Sequence, residues 1–106
     1  MDNEIHVKGN TYKTLVNNCS QFISGKEDAA KLQFSGVYIT SENGNFIATG
    51  TDGHALCQGQ ADILSMIKFS GILLDDDVIK KSCLISGVEE AMEIYHNSKS
   101  VVFRTE

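Results

Sequence analysis

The chain has 106 residues, enough for one domain with a modest buried core and little to spare. Its 42% hydrophobic and 22% charged residues suit a globular fold, its apolar runs are too short to cross a membrane, and the opening MDNEIHVKG lacks the basic and apolar parts of a signal peptide, so a cytoplasmic protein is expected. A net charge of −5 excludes a surface that grips nucleic acid all round but allows a local basic stripe.

In chain order, EIHVK alternates Ile5 and Val7 with polar neighbours and predicts a strand. NTYKTLVNNCSQFI then repeats Tyr12, Leu15, Val16, Cys19, Phe22 and Ile23 at helical spacing, with Asn10 or Thr11 as N-cap. Its remaining face holds Lys13, Thr14, Asn17, Asn18 and Gln21 and carries no acid. SGKEDAAK is a polar loop. FSGVYITS and NFIATGT follow as two strands joined through Glu42-Asn43-Gly44-Asn45, where Asn-Gly is a strong hairpin signal. HALCQGQ continues the meander as a third strand, and ADILSMIK fits either a helix or a strand.

From Phe69 the pattern begins again. FSGILL predicts a strand and DDDVIKKSCLI a short helix, with Asp75, Asp76 and Asp77 as cap and first-turn acids. AMEIYHN and SVVFRTE predict a hairpin turning at Asn97-Ser98-Lys99. The chain therefore reads as one β-α-β-β unit written twice, EIHVK matching FSGILL and VYITSENGNFIAT matching MEIYHNSKSVVFR. This pattern predicts an α+β fold with a pseudo-twofold axis and both helices on one face of antiparallel sheets.

Chemistry-bearing residues are sparse. Asp52 and His54 would share a strand face with Cys57 on the opposite one, which disfavours a Cys-His pair; a small hydrolase using Asp52 and His54 is the least favoured reading. The histidines His6, His54 and His96 share no ligand spacing, so no metal is expected, and His6 and His96 read as half-exposed strand residues. Cys19 and Cys83 fall at apolar helical positions and read as reduced core residues. Eight of the nine basic residues are lysine, which suits diffuse phosphate attraction better than bidentate base reading. Lys13 on the first helix and Lys80 and Lys81 on the second would make the helical face electropositive, although an ordinary solvated face fits the charges equally well.

The segment TDGHAL resembles the TDGHRL signature of the bacterial DNA sliding clamp, the beta subunit of DNA polymerase III, in its middle domain. TYKTLVNNCSQFIS, LQFSGVYITSENGNFIATGTDGHAL, SGILLDDDVIKKSCLI and MEIYHNSKSVVFRTE resemble successive parts of the same domain in the same order. The resemblance implies a DNA-clamp-like domain over residues 1–106, lacking the family domain's last strand, in a non-enzymatic replication accessory role without cofactor. It implies sequence-independent duplex DNA association through Lys13, Asn17, Gln21, Lys80 and Lys81. It also implies capture of short peptide motifs of replication proteins by Phe34, Thr51, Gly53, His54 and Leu56, with Asp52 holding the turn. Ala55 stands where the family has arginine. Homo-oligomers could form by sheet-edge pairing, and the alternative reading is a clamp-derived interaction module, from a phage or mobile element, that does not encircle DNA.

Overall fold

The computed structural model describes residues 3–21, 36–51, 56–85, 91–97 and 100–105. The first strand, β1 (Asn3–Lys8), buries Ile5 and Val7 and runs directly into helix α1 (Gly9–Ser20). Strands β2 (Gly36–Glu42), β3 (Asn45–Thr51) and β4 (Leu56–Asp62) then form an antiparallel meander. After β5 (Ser65–Lys68) come β6 (Ile72–Asp75), helix α2 (Asp76–Ile85) and the hairpin β7 (Ala91–His96) with β8 (Val101–Thr105).

These strands make two four-stranded antiparallel sheets, ordered β5-β1-β7-β8 and β4-β3-β2-β6. Each half exports its first strand: β1 pairs with β7 of the second hairpin, and β6 pairs with β2 of the first. The repeat read from the sequence is thus realised as an exchange, β6-β2-β3-β4 in one sheet corresponding to β1-β7-β8 in the other. Among the described residues β4 has no counterpart beside β8.

Local sequence explains most boundaries. Asn43 and Gly44 take φ of 52° and 82°, both left-handed, which matches the type I′ turn that an Asn-Gly hairpin favours. The carboxylate Oδ1 of Asp75 accepts the amide of Val78 at 2.9 Å, so Asp75 is the N-cap of α2, with Asp76 and Asp77 in its first turn. Helix α1 departs from expectation. It begins at Gly9, and its N-cap position is Lys8, extended and without a side-chain cap, rather than Asn10 or Thr11. Pairing of Lys8 with Ala91 carries β1 right up to the helix, so Asn10 and Thr11 fall inside the first turn.

The second unit also starts later than FSGILL suggests, at Ile72. Phe69 to Gly71 form a tethered connector: the Ser70 amide donates to Asn3 Oδ1 at 2.8 Å, and His96 Nε2 donates to the Ser70 carbonyl at 2.7 Å. His96 is consequently buried, edge-on to Phe69 at 5.0 Å, not half-exposed, whereas His6 is half-buried beside Glu4 at 2.6 Å. ADILSMIK splits between the end of β4 and β5. The chain crosses between the sheets at Ile63 and Leu64, whose amides donate to the carbonyls of Gly44 and His6.

One core joins the layers. Ile5, Val7, Met92 and Ile94 from one sheet meet Val37, Ile39, Phe46 and Leu74 from the other, all essentially inaccessible. Burying each large apolar side chain contributes about 1.5–3 kcal/mol. Tyr12 of α1 sits at the centre. Its ring lies 6.1 Å from Phe46 and 5.6 Å from Phe103, one in each sheet, and its hydroxyl meets Ser82 Oγ of α2 at 2.7 Å.

Candidate functional site

The helices pack against each other as the repeat predicts. Besides the Tyr12–Ser82 pair, Cys83 Sγ donates to Asn17 Oδ1 at 3.3 Å, locking α2 to α1. Apolar faces turn inward through Tyr12, Val16, Cys19, Ile79 and Cys83, and the lysines are left outside by their position in the helical period.

Lys13, Lys80 and Lys81 are all exposed, as is Gln21 just past the end of α1. The five residues expected to meet DNA are not equivalent, however. Asn17 is half-buried and spends its side-chain oxygen on Cys83, so it joins the helices as much as it faces solvent. Lys80 Nζ lies 3.0 Å from Asp76 Oδ2 one turn earlier. An exposed pair of this kind is worth a few tenths of a kcal/mol, so Lys80 is easily drawn to a phosphate, but the Asp76 carboxylate offsets its local field. Lys13 and Lys81 are the stronger local sources of positive potential.

Of the five residues expected to take a peptide, Phe34, Gly53 and His54 lie outside the described residues, as does Asp52. Thr51 and Leu56 are cross-strand partners at the ends of β3 and β4, which brings the two ends of segment 52–55 together. Leu56 is 64% exposed, an apolar side chain held at the sheet margin where a partner could cover it.

Nothing in the described residues assembles a reaction centre. No cluster of His, Cys, Asp or Glu among them could hold a metal ion. Cys19 Sγ lies 3.4 Å from Cys57 Sγ, both thiols free. Burial, and then the neighbouring Cys57, push the Cys19 thiol up to about 12, so it is protonated at neutral pH and unsuited to nucleophilic attack. Tyr12 is driven the same way by burial, partly offset by Ser82. On the outer face of the first sheet Arg104 donates to Glu93 at 2.6 Å and lies over the Tyr95 ring at 5.5 Å; the Tyr95 hydroxyl also donates to Glu93. The Tyr95 and Arg104 hydrogen bonds hold the Glu93 carboxyl below its usual range. This reads as a cross-strand brace.

One feature was not expected from the sequence. A groove of about 260 Å³ runs between α2 and β8, lined by Val78, Lys81, Ser82, Ile85, Val101 and Phe103. Ile85, an apolar residue left 43% exposed at the end of α2 and lining the groove, is its sequence trace.

No family model matches the sequence, and no curated protein matches it. Its fold is similar to solved clamps. The DNA polymerase III beta subunit from Thermotoga maritima superposes with a TM-score of 0.82 at 17% identity, covering 98% of this chain and 28% of that one. The DNA polymerase sliding clamp from Bacillus subtilis gives 0.81 at 18% identity, covering 96% and 27%. A DnaN sliding clamp from Pseudomonas aeruginosa gives 0.80 at 15%, covering 96% and 28%. The chain thus has the fold of a sliding-clamp domain, and it spans little more than a quarter of the length of these proteins. No helix among the described residues is long and apolar enough to cross a membrane.

Proposed function

We propose that this chain is a non-enzymatic, clamp-like replication accessory domain that associates with duplex DNA without sequence preference through the α1–α2 face. The observation that carries this reading is the pairing of the two helices, with Lys13, Lys80 and Lys81 exposed on them, in a fold superposing on sliding clamps over 98% of the chain. Lysine at the end of a flexible stem attracts phosphate without fixing register, which is what a sliding contact needs. Gln21 and the free side of Asn17 add neutral hydrogen-bonding capacity. Segment 51–56, through Thr51, Gly53, His54 and Leu56, together with Phe34, docks short peptide motifs of replication proteins.

Association is expected to be weak, because the chain carries −5 overall and Asp76 already pairs with Lys80. Neutralising two or three phosphates gives a logarithmic salt slope of about −2 to −3. Fluorescence anisotropy of a labelled random-sequence duplex, titrated at several salt concentrations, measures it. Lys80→Glu combined with Lys81→Glu should abolish binding at every sequence tested. Binding that is insensitive to both salt and that double substitution would overturn the reading.

The second reading is a clamp-derived interaction module that does not encircle DNA, favoured by the acidic net charge and the Lys80–Asp76 pair. It predicts no duplex binding at physiological salt, together with peptide binding that Leu56→Asp removes.

A further inference from the structure

We infer that Cys19 and Cys57 are a thiol pair that a low-molecular-weight disulfide oxidises to an intramolecular bridge, reversibly fastening the last turn of α1 to the start of β4. The inference goes beyond the DNA reading and does not depend on it.

Three features of the fold converge on this pair. The first is distance: the two sulfurs lie 3.4 Å apart, although the residues are 38 positions apart in sequence. A covalent bond needs about 2.05 Å, so the two side chains have roughly 1.4 Å of approach to share. The second is how the helix reaches the sheet. Cys57 pairs across the ladder with Gly50 of β3, and a Cβ on Gly50 would overlap the Cys19 carbonyl. Glycine at that point lets the end of α1 settle directly on the backbone of β3. Cys19 Sγ is thereby brought level with Cys57, 3.5 Å from its carbonyl oxygen. The backbones are held close whichever rotamers the thiols adopt.

The third feature is an asymmetry of exposure. Cys19 is 1% exposed, whereas Cys57 is half-buried, next in sequence to the exposed Leu56. An oxidant arriving from solvent therefore meets Cys57 first and Cys19 behind it, the order of an attacking and a resolving thiol. Cys83, buried and donating to Asn17, shows the plain packing role by contrast.

The exchange balances with the small disulfide, RSSR, as the oxidant. Cys57 Sγ gives its proton to water and attacks one sulfur of RSSR; the S–S bond breaks, and RS⁻ leaves with the electron pair and is protonated. Cys19 Sγ then attacks Cys57 Sγ in the mixed disulfide, the Cys57–SR bond breaks, and a second RSH departs with the proton that Cys19 releases. Two protein thiols lose two electrons, and one RSSR becomes two RSH. Burial, and then the neighbouring Cys57, hold the Cys19 thiol up at about 12, so this second step is the slower one. It proceeds because the two sulfurs are already in contact. The mixed disulfide on Cys57 accordingly builds up before the bridge closes.

The test incubates the full chain in glutathione buffers running from reduced to oxidised, quenches with iodoacetamide in denaturant and reads the intact mass over time. One glutathione adduct on Cys57 is expected first. Its loss should follow, leaving a Cys19–Cys57 link in the peptide map and Cys83 alone alkylated. Closing a loop of this length should raise the Tm by about 10 °C, and dithiothreitol should reverse the rise. Cys57→Ser should block both adduct and bridge, while Cys19→Ser should leave the adduct on Cys57 unresolved. Because Cys57 is only half-buried, Cys57→Ser keeps the test decisive even where Cys19→Ser weakens the core. All three thiols alkylated at every buffer composition, an adduct that never resolves in the parent chain, or a bridge to Cys83 would overturn the proposal. So would a dimer linked through Cys57, or a Tm indifferent to oxidation.

Discussion

At the scale of single residues, the molecule keeps its most polarisable groups neutral. Cys19 is buried between the end of α1 and β3, with its Sγ 3.5 Å from the Ala48 carbonyl and 3.4 Å from Cys57 Sγ. A thiolate there would meet a carbonyl and a second sulfur with no water to stabilise it. The sign of the pH dependence follows. In the unfolded chain the thiol ionises near its ordinary value, whereas in the fold it holds its proton up to about 12. Below the unfolded value the two states bind equal protons and this group makes stability flat with pH. Between there and about 12 only the unfolded chain ionises, so stability falls as pH rises. The Tyr12 phenol acts in the same direction. Urea midpoints measured at pH 8, 9 and 10 should therefore decline, and Cys19→Ala should flatten the first part of that decline. An unchanged slope in the variant would show that the thiol titrates freely. Cysteine burial was legible from helical spacing; the proximity of Cys57 was not, because it joins a helix to a strand across the chain.

At the scale of elements, what was legible is what short stretches determine by themselves. Asn43-Gly44 fixes a turn because both positions need left-handed backbone, and Asp75 starts a helix because its carboxylate reaches a free amide. Both were evident from residue type and spacing. Asp75→Ala removes that acceptor and should cost about 1 kcal/mol, seen as a shifted urea midpoint with unchanged m-value. Replacement by Asn should restore most of it, and an equal loss in the two variants would assign the effect to charge alone. Sequence pattern misplaced the start of α1 and of β6 for a common reason. Both boundaries are set by pairing with distant strands, Lys8 with Ala91 and Ile72 with Ile39, and not by a local stop signal. The short strand β5 was ambiguous because its pairing with Glu4 to His6 is formed only after the chain has crossed between sheets. Of the candidate site, the lysines on the helices were legible from helical period. The Asn17–Cys83 bond and the groove beside β8 were not, since each depends on how two units sixty-odd residues apart are superposed.

At the scale of the whole molecule, the exchange of first strands decides how the protein folds. Neither half owns a complete sheet: β1 needs β7, and β6 needs β2. Tyr12 then joins both sheets and both helices through Phe46, Phe103 and Ser82. A half-unit alone would leave Ile5 and Val7, or Leu74, without their facing layer, so local stability cannot accumulate half by half. Unfolding should be a single cooperative step despite the repeat, unlike a solenoid whose units melt separately. Far-UV circular dichroism, reporting strands and helices, and near-UV dichroism, reporting the tyrosine environment, should give superimposable urea transitions. Pairing of Ile5 with Ile94 also makes contacts distant in sequence obligatory, so refolding should take milliseconds to seconds rather than microseconds. Two resolved transitions, or a near-UV signal lost before the far-UV one, would mean that the halves are separable and that the shared helical face is not held by the fold as a unit. In that case the lysines of α1 and α2 would no longer be fixed relative to each other, and their joint action on one duplex would lose its structural basis.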